Sequence, residues 1–103
     1  MKSEIKAEIR KINGRDVEIV IAPIGTVSLV YARTDKGLLT CGAIEPAALT
    51  KFGIAAARVR PGSSPSITSY EDLVGCVVRE ANDAARALGI AEGMSGADAL
   101  AKL

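Results

Sequence analysis

The stretch SYEDLVGCVVREANDAARALG, residues 69–89, decides how this chain is read. Tyr70, Leu73, Val74, Val77, Val78, Ala81, Ala84, Ala85 and Leu88 recur at the three-and-four spacing of one helical face. Glu71, Arg79, Glu80, Asp83 and Arg86 fall mostly opposite. Ser69 with Asp72 three places on has the form of a capped helix start, and Gly89 can adopt the left-handed cap that lets Ile90 fold back. The spacing therefore predicts one long amphipathic helix that packs on a sheet. Ser95 with Asp98 begins a last short helix, which needs docking because roughly two turns are unstable alone.

Working back from that helix, residues 61–68 (PGSSPSIT) read as a loop and Ile54 to Arg60 as a fifth strand. Pro46 suits the first turn of a short helix ending at Gly53, so strands four and five are joined by a small crossover. Val27–Arg33 and Leu38–Gly42 form a hairpin around Asp35-Lys36-Gly37, with Gly37 in the left-handed position. Both faces of this hairpin are apolar, Leu29 and Tyr31 against Val30 and Ala32, which calls for cover on two sides: a helix on one and a neighbouring subunit on the other.

At the N-terminus two signals conflict. Ile5, Ala7 and Ile9 alternate with Glu4, Lys6, Glu8 and Arg10, and Asn13-Gly14 offers a two-residue turn into Val17, Ile19 and Ile21. An uninterrupted ladder would set Ile9 opposite Glu18 and send the apolar residues of the two strands to opposite faces. A bulge near Arg10 and Lys11 would bring Ile9 opposite Val17, Ala7 opposite Ile19 and Ile5 opposite Ile21, and that bulge is the expectation. The fold class is then α+β: a mostly antiparallel sheet of about five strands, two N-terminal hairpins plus a short crossover, packed against a long C-terminal helix and a short final one.

At 103 residues the chain is expected to form one domain, 1–103, without repeat or linker. A hydrophobic fraction of 49% is more than a chain this short readily hides, although much of it is alanine; association into a homo-oligomer is one way to cover the excess. A formal net charge of +1, with acids and bases interleaved, argues against a nucleic-acid partner. The charged N-terminus MKSEIKAEIRK is neither a signal peptide nor an anchor, no run approaches membrane-spanning length, and Cys41 and Cys76 read as reduced thiols of a cytoplasmic protein.

Two places could carry chemistry. Cys41, at a strand end beside Gly42, is the candidate reactive thiol, and a small enzyme built on it is the alternative to a binding module. The chain has no histidine to activate it, so the packing reading is stronger; Cys76 reads as packing too. Arg58 and Arg60, followed by Ser63, Ser64 and the helix start at Ser69, could together hold a phosphate or carboxylate. Against this, arginines on an exposed strand usually face water or pair with carboxylates. Gly89, Gly93 and Gly96 match neither phosphate-loop spacing, and two separated cysteines without histidine make no standard zinc site. No cofactor is legible.

The second half, from KGLLTCG through GIAAA to SYEDLVGCVVREANDAARALGIAEGMSGADAL, resembles the YunC-like family, an uncharacterised bacterial and archaeal domain of unknown function. The resemblance covers about two-thirds of the chain and rests on Cys41-Gly42, Ala55 to Ala57, Gly89, Gly93, Met94 and Gly96 in that order. It implies an α+β fold whose N-terminal β-rich region, here residues 1–34, mediates tetramerisation, and it brings no known reaction. The segment from Arg60 to Pro65 looks longer and more polar than the family pattern. The resulting expectation is a homo-oligomeric protein that leaves room for a small-molecule ligand or a protein partner.

Overall fold

A computed structural model of the chain describes residues 3–61 and 66–103. Among these residues six strands form one sheet in the order in which they occur: β1 (Lys6–Ile12), β2 (Arg15–Ile24), β3 (Val27–Arg33), β4 (Gly37–Thr40), β5 (Ala55–Arg60) and β6 (Val77–Ala81). Neighbours are antiparallel except β4 and β5, which run parallel and are joined by α1 (Pro46–Leu49) and a 3₁₀ turn, Thr50–Phe52. This is the expected crossover, with Pro46 at its start and Gly53 closing it at φ 71°. The remaining helices are α2 (Tyr70–Val74), α3 (Asp83–Ala87) and α4 (Gly96–Lys102).

The long helix expected over residues 69–89 is not formed. Ser69 caps a helix as predicted, its hydroxyl accepting from the Asp72 N–H at 3.1 Å, but α2 ends at Gly75 after five residues. Residues Val77–Ala81 then run as β6 against β5, and Asn82 starts α3 by accepting from the Ala85 N–H at 3.0 Å. Three local features make this break: Gly75 costs a helix interior about 1 kcal/mol, adjacent valines favour a strand, and Asn82 is a stronger helix start than a helix interior residue. The sheet therefore has six strands rather than five, and short helices cover it. Gly89, at φ 95°, caps α3 instead, and Ile90 folds back into the core as anticipated. The last helix starts at Ser95 as read, with the Ser95 hydroxyl accepting from the Asp98 N–H.

The bulge expected near Arg10 and Lys11 is absent. Asn13 and Gly14 take φ 53° and 79°, the turn is two residues long, and the ladder continues unbroken, so Ile9 lies opposite Glu18, Ala7 opposite Val20 and Glu8 opposite Ile19. Turn geometry thus fixes the register and overrides the tendency of apolar residues to share a face. A register shift does occur elsewhere, in the β5–β6 pairing between Arg58 and Val59. The expectation for Gly37 also fails, since it is a strand residue without positive φ. Its lack of a side chain serves a close approach instead: a Cβ there would collide with the Ala55 carbonyl of the parallel neighbour and lie 2.9 Å from the Ala55 Cβ.

The register sorts the side chains. On the inner face Val17, Ile19, Val30, Ala32, Leu39, Ala55, Ala57, Val59 and Val78 form the core with Leu73 of α2, Ala85 of α3, Ile90, and Ala99, Leu100 and Leu103 at the C-terminus. Gly96 lets α4 approach α2, because a Cβ would lie 2.7 Å from the Leu73 carbonyl oxygen. On the outer face α1 covers the β5–β6 half. Asn82 pins this corner: its Oδ1 accepts from the Ala56 and Ala85 N–H groups, and its Nδ2 donates to the Pro46 and Ile54 carbonyls at 3.1 and 2.8 Å.

Candidate functional site

One row of residues crosses all six strands on the outer face: Ala7, Val20, Tyr31, Thr40, Arg58 and Glu80. Along this row the face passes from a covered surface to an open one. At the β5–β6 end the chain itself supplies cover. Thr40 and Ala56 are fully buried, and Arg58 ion-pairs with Glu80 while donating to the Gly42 carbonyl at 3.4 Å. At the β1–β3 end no described element lies over the strands. Ile5, Ile9, Ile24 and Val27 are 58–70% exposed, and Val20, Ala22, Leu29 and Tyr31 between them are only partly buried. Ile24 and Val27 pair across a two-residue turn at one end, and the Glu18–Arg33 ion pair, 2.9 Å long, borders the patch at the other. The result is a contiguous apolar surface with a charged rim, the pattern of a binding face.

Cys41 points the other way. Its sulfur accepts from the Val30 N–H at 3.3 Å, the residue is 5% exposed, and it belongs to the core. It also lines a cleft of about 230 Å³ with Val27, Ser28, Gly42, Ala43, Pro61, Ser66 and Ile67, a wall without a cation or a carboxylate among the described residues. Arg58 lies across the sheet on the opposite face. Cys76 is buried too, its thiol donating to the Asp72 carbonyl at 3.0 Å, and neither cysteine is in a disulfide.

Arg58 and Arg60 project from the outer face of β5, as their alternation required. The Arg58 charge is committed to Glu80, whereas Arg60 is exposed; Ser63 and Ser64 lie outside the described residues. A second cleft of about 220 Å³ opens beside this pair, between α1 and the start of α3, with Thr50, Glu80, Asn82, Asp83 and Arg86 in its wall. Asn82, which gives that cleft its floor, is the residue that sequence reading missed. Asparagine followed by aspartate at a helix start was its signal, hidden by the helix read through it.

On the inner face Arg10 ties the sheet edge to α2. Its guanidinium lies 5.0 Å from the Tyr70 ring centre and pairs with Glu8 at 2.7 Å and Glu71 at 3.2 Å. The Glu8 and Glu71 hydrogen bonds raise the Arg10 pKa, and partial burial raises that of Tyr70. Asp72 is held below the usual carboxylate range by the Thr68 N–H and hydroxyl, which both donate to its Oδ2. These groups fasten α2 to its surroundings rather than face a cavity. Among the described residues no group of three or more histidine, cysteine, aspartate or glutamate side chains converges to hold a metal, and no helix is long and apolar enough to cross a membrane.

Fold and surfaces together define a small α+β domain with a mixed six-stranded sheet, closed on one face and half open on the other. Residues 40–103 match the family described as a domain of unknown function (DUF1805), and the chain belongs to that family. The YunC-like resemblance agrees with this assignment. Strands β1–β3 lie outside the matched residues. The whole fold is nevertheless shared with a solved structure, a protein of unknown function, TA1206, from Thermoplasma acidophilum. The TM-score is 0.87 at 22% sequence identity, with 100% of this chain and 96% of that chain covered. No curated protein matches the chain.

Proposed function

We propose that this protein acts as a non-catalytic homo-oligomeric module, assembled through the outer face of β1–β3. One observation carries the reading: four large apolar side chains, Ile5, Ile9, Ile24 and Val27, are mostly exposed on one continuous sheet surface whose other half the chain covers for itself. Burying such a surface is worth about 25 cal/mol per Å² of apolar area, so the face favours association once a partner of matching shape is present, and a second copy always is. The tetramer implied by the family resemblance fits the same region, residues 1–34. Two cysteines outside any disulfide and a charge balance near zero favour the cytoplasm as the place of this module. A thiol enzyme built on Cys41 is the weaker reading, because the described residues of the cleft wall include no activating group.

Light scattering coupled to size exclusion tests this. The wild-type chain is expected to run as a tetramer or dimer at micromolar concentration, and Ile24→Lys with Val27→Lys is expected to run as a folded species of lower mass, since both side chains are already exposed in the single chain. A wild-type monomer would refute the assignment.

A further inference from the structure

The two edges of the sheet are treated differently. β6 is met by the segment after α3: the Val78 N–H donates to the Met94 carbonyl, the Gly93 N–H donates to the Val78 carbonyl, and Val77 bridges Ser95. β1 has no comparable cover among the described residues, and Lys6, Ala7, Glu8 and Ile9 are all exposed. An open strand of this length invites pairing with another chain. Its backbone is set for it. The two-residue turn is closed by the hydrogen-bonded pair Ile12–Arg15, so alternation directs the N–H and C=O groups of Lys6, Glu8 and Arg10 toward β2 and those of Ile5, Ala7 and Ile9 toward the open edge.

The side chains of this edge are complementary to themselves. Reading Glu4-Ile5-Lys6-Ala7-Glu8-Ile9-Arg10 antiparallel to its own copy about Ala7 sets Lys6 opposite Glu8, Ile5 opposite Ile9 and Glu4 opposite Arg10. Every charge meets its opposite and every apolar residue an apolar one. Centring on Glu8 would instead oppose the two Glu8 carboxylates and set Lys6 against Arg10. Centring on Lys6 would oppose the two lysines and set Glu4 against Glu8. Centring on Ile9 keeps Glu8 with Arg10 but sets Lys6 against Ile12 and Ala7 against Lys11. Lys6 and Glu4 have no ion pair with any described residue of their own chain, so both are available to a partner.

We propose that two copies join edge to edge through β1, antiparallel about a two-fold axis at Ala7, to make one sheet continuous across the dimer. This rests on the reading of the chain as self-associating and specifies which contact forms first. It also places Ile5, Ala7 and Ile9 of both copies on the same side, joining the two outer apolar faces into one surface that a second dimer can cover.

Cysteines introduced one at a time into the full chain, which keeps its buried Cys41 and Cys76, read the register. Two Ala7→Cys copies would face each other at a Cα separation of about 5.5 Å, inside the disulfide range, whereas two Ile9→Cys copies would lie several residues apart. Mild oxidation should convert Ala7→Cys, but neither Ile9→Cys nor the wild type, to a covalent dimer on a non-reducing gel. Lys6→Glu should weaken the dimer about tenfold, since two-fold symmetry opposes two carboxylate pairs at once, and adding Glu8→Lys should restore it. An oligomer in which Ile9→Cys crosslinks and Ala7→Cys does not, or in which the exchanged pair fails to restore association, would overturn the edge pairing while leaving the assembly reading standing. A wild-type monomer would overturn both.

Discussion

Asn82 makes four hydrogen bonds with one side chain, three of them buried and the fourth, to Ile54, partly so. Its oxygen serves the Ala56 and Ala85 N–H groups; its nitrogen serves the Pro46 and Ile54 carbonyls. Orphaning a buried donor or acceptor costs about 1–3 kcal/mol, so Asn82→Ala is expected to lower stability by about 3 kcal/mol or more, read by urea denaturation. Asn82→Asp keeps both acceptor contacts and loses both donors, so at neutral pH it should be as damaging, and milder where the carboxyl is protonated. The other two side-chain caps, Ser69 and Ser95, were legible because a serine three residues before an acid is a local pattern. Asn82 was not, because its role depends on β5 and α1, whose contacts with it lie 26 and 36 residues away along the chain.

Elements built on local signals were readable, and those decided by distant partners were not. The turn at Asn13-Gly14, the crossover around Pro46 and Gly53, and the strand Ala55–Arg60 all stand where short-range chemistry put them. Residues 77–81 failed because Val77, Val78 and Ala81 satisfy the helical spacing as well as the strand one, and only the open edge of β5 decides between them. Gly37 failed for a related reason. Sequence showed a glycine near a turn, but the need for it comes from a parallel strand that arrives through the crossover. Gly37→Ala should therefore force β4 and β5 apart and cost about 2 kcal/mol, a drop of several degrees in the melting temperature for a chain of this size. Gly42→Ala, two residues past β4 with open space around it and no positive φ, is the matched control and should change stability by less than about 0.5 kcal/mol.

At the scale of the whole molecule, the conflict between turn and pattern in the first hairpin has a physical meaning. A strand pair whose apolar residues point to opposite faces is frustrated in a monomer with one helical layer, and is consistent in an assembly that covers both. Val17 and Ile19 are buried by the chain's own helices, while Ile5 and Ile9 remain exposed. The expected cover on two sides of the β3–β4 hairpin points the same way, since Leu29 and Tyr31 are left partly exposed beside them. If association buries this surface, folding and assembly are linked, and the native state gains stability by mass action as concentration rises. The thermal midpoint of the wild-type chain should then climb by several degrees between low and high micromolar concentration. The Ile24→Lys with Val27→Lys variant should show a smaller climb, because it loses the contact between faces. Differential scanning calorimetry over that range checks both, and a wild-type midpoint independent of concentration, with the same value as the variant, would show that the exposed face contributes nothing to the stability of the native state.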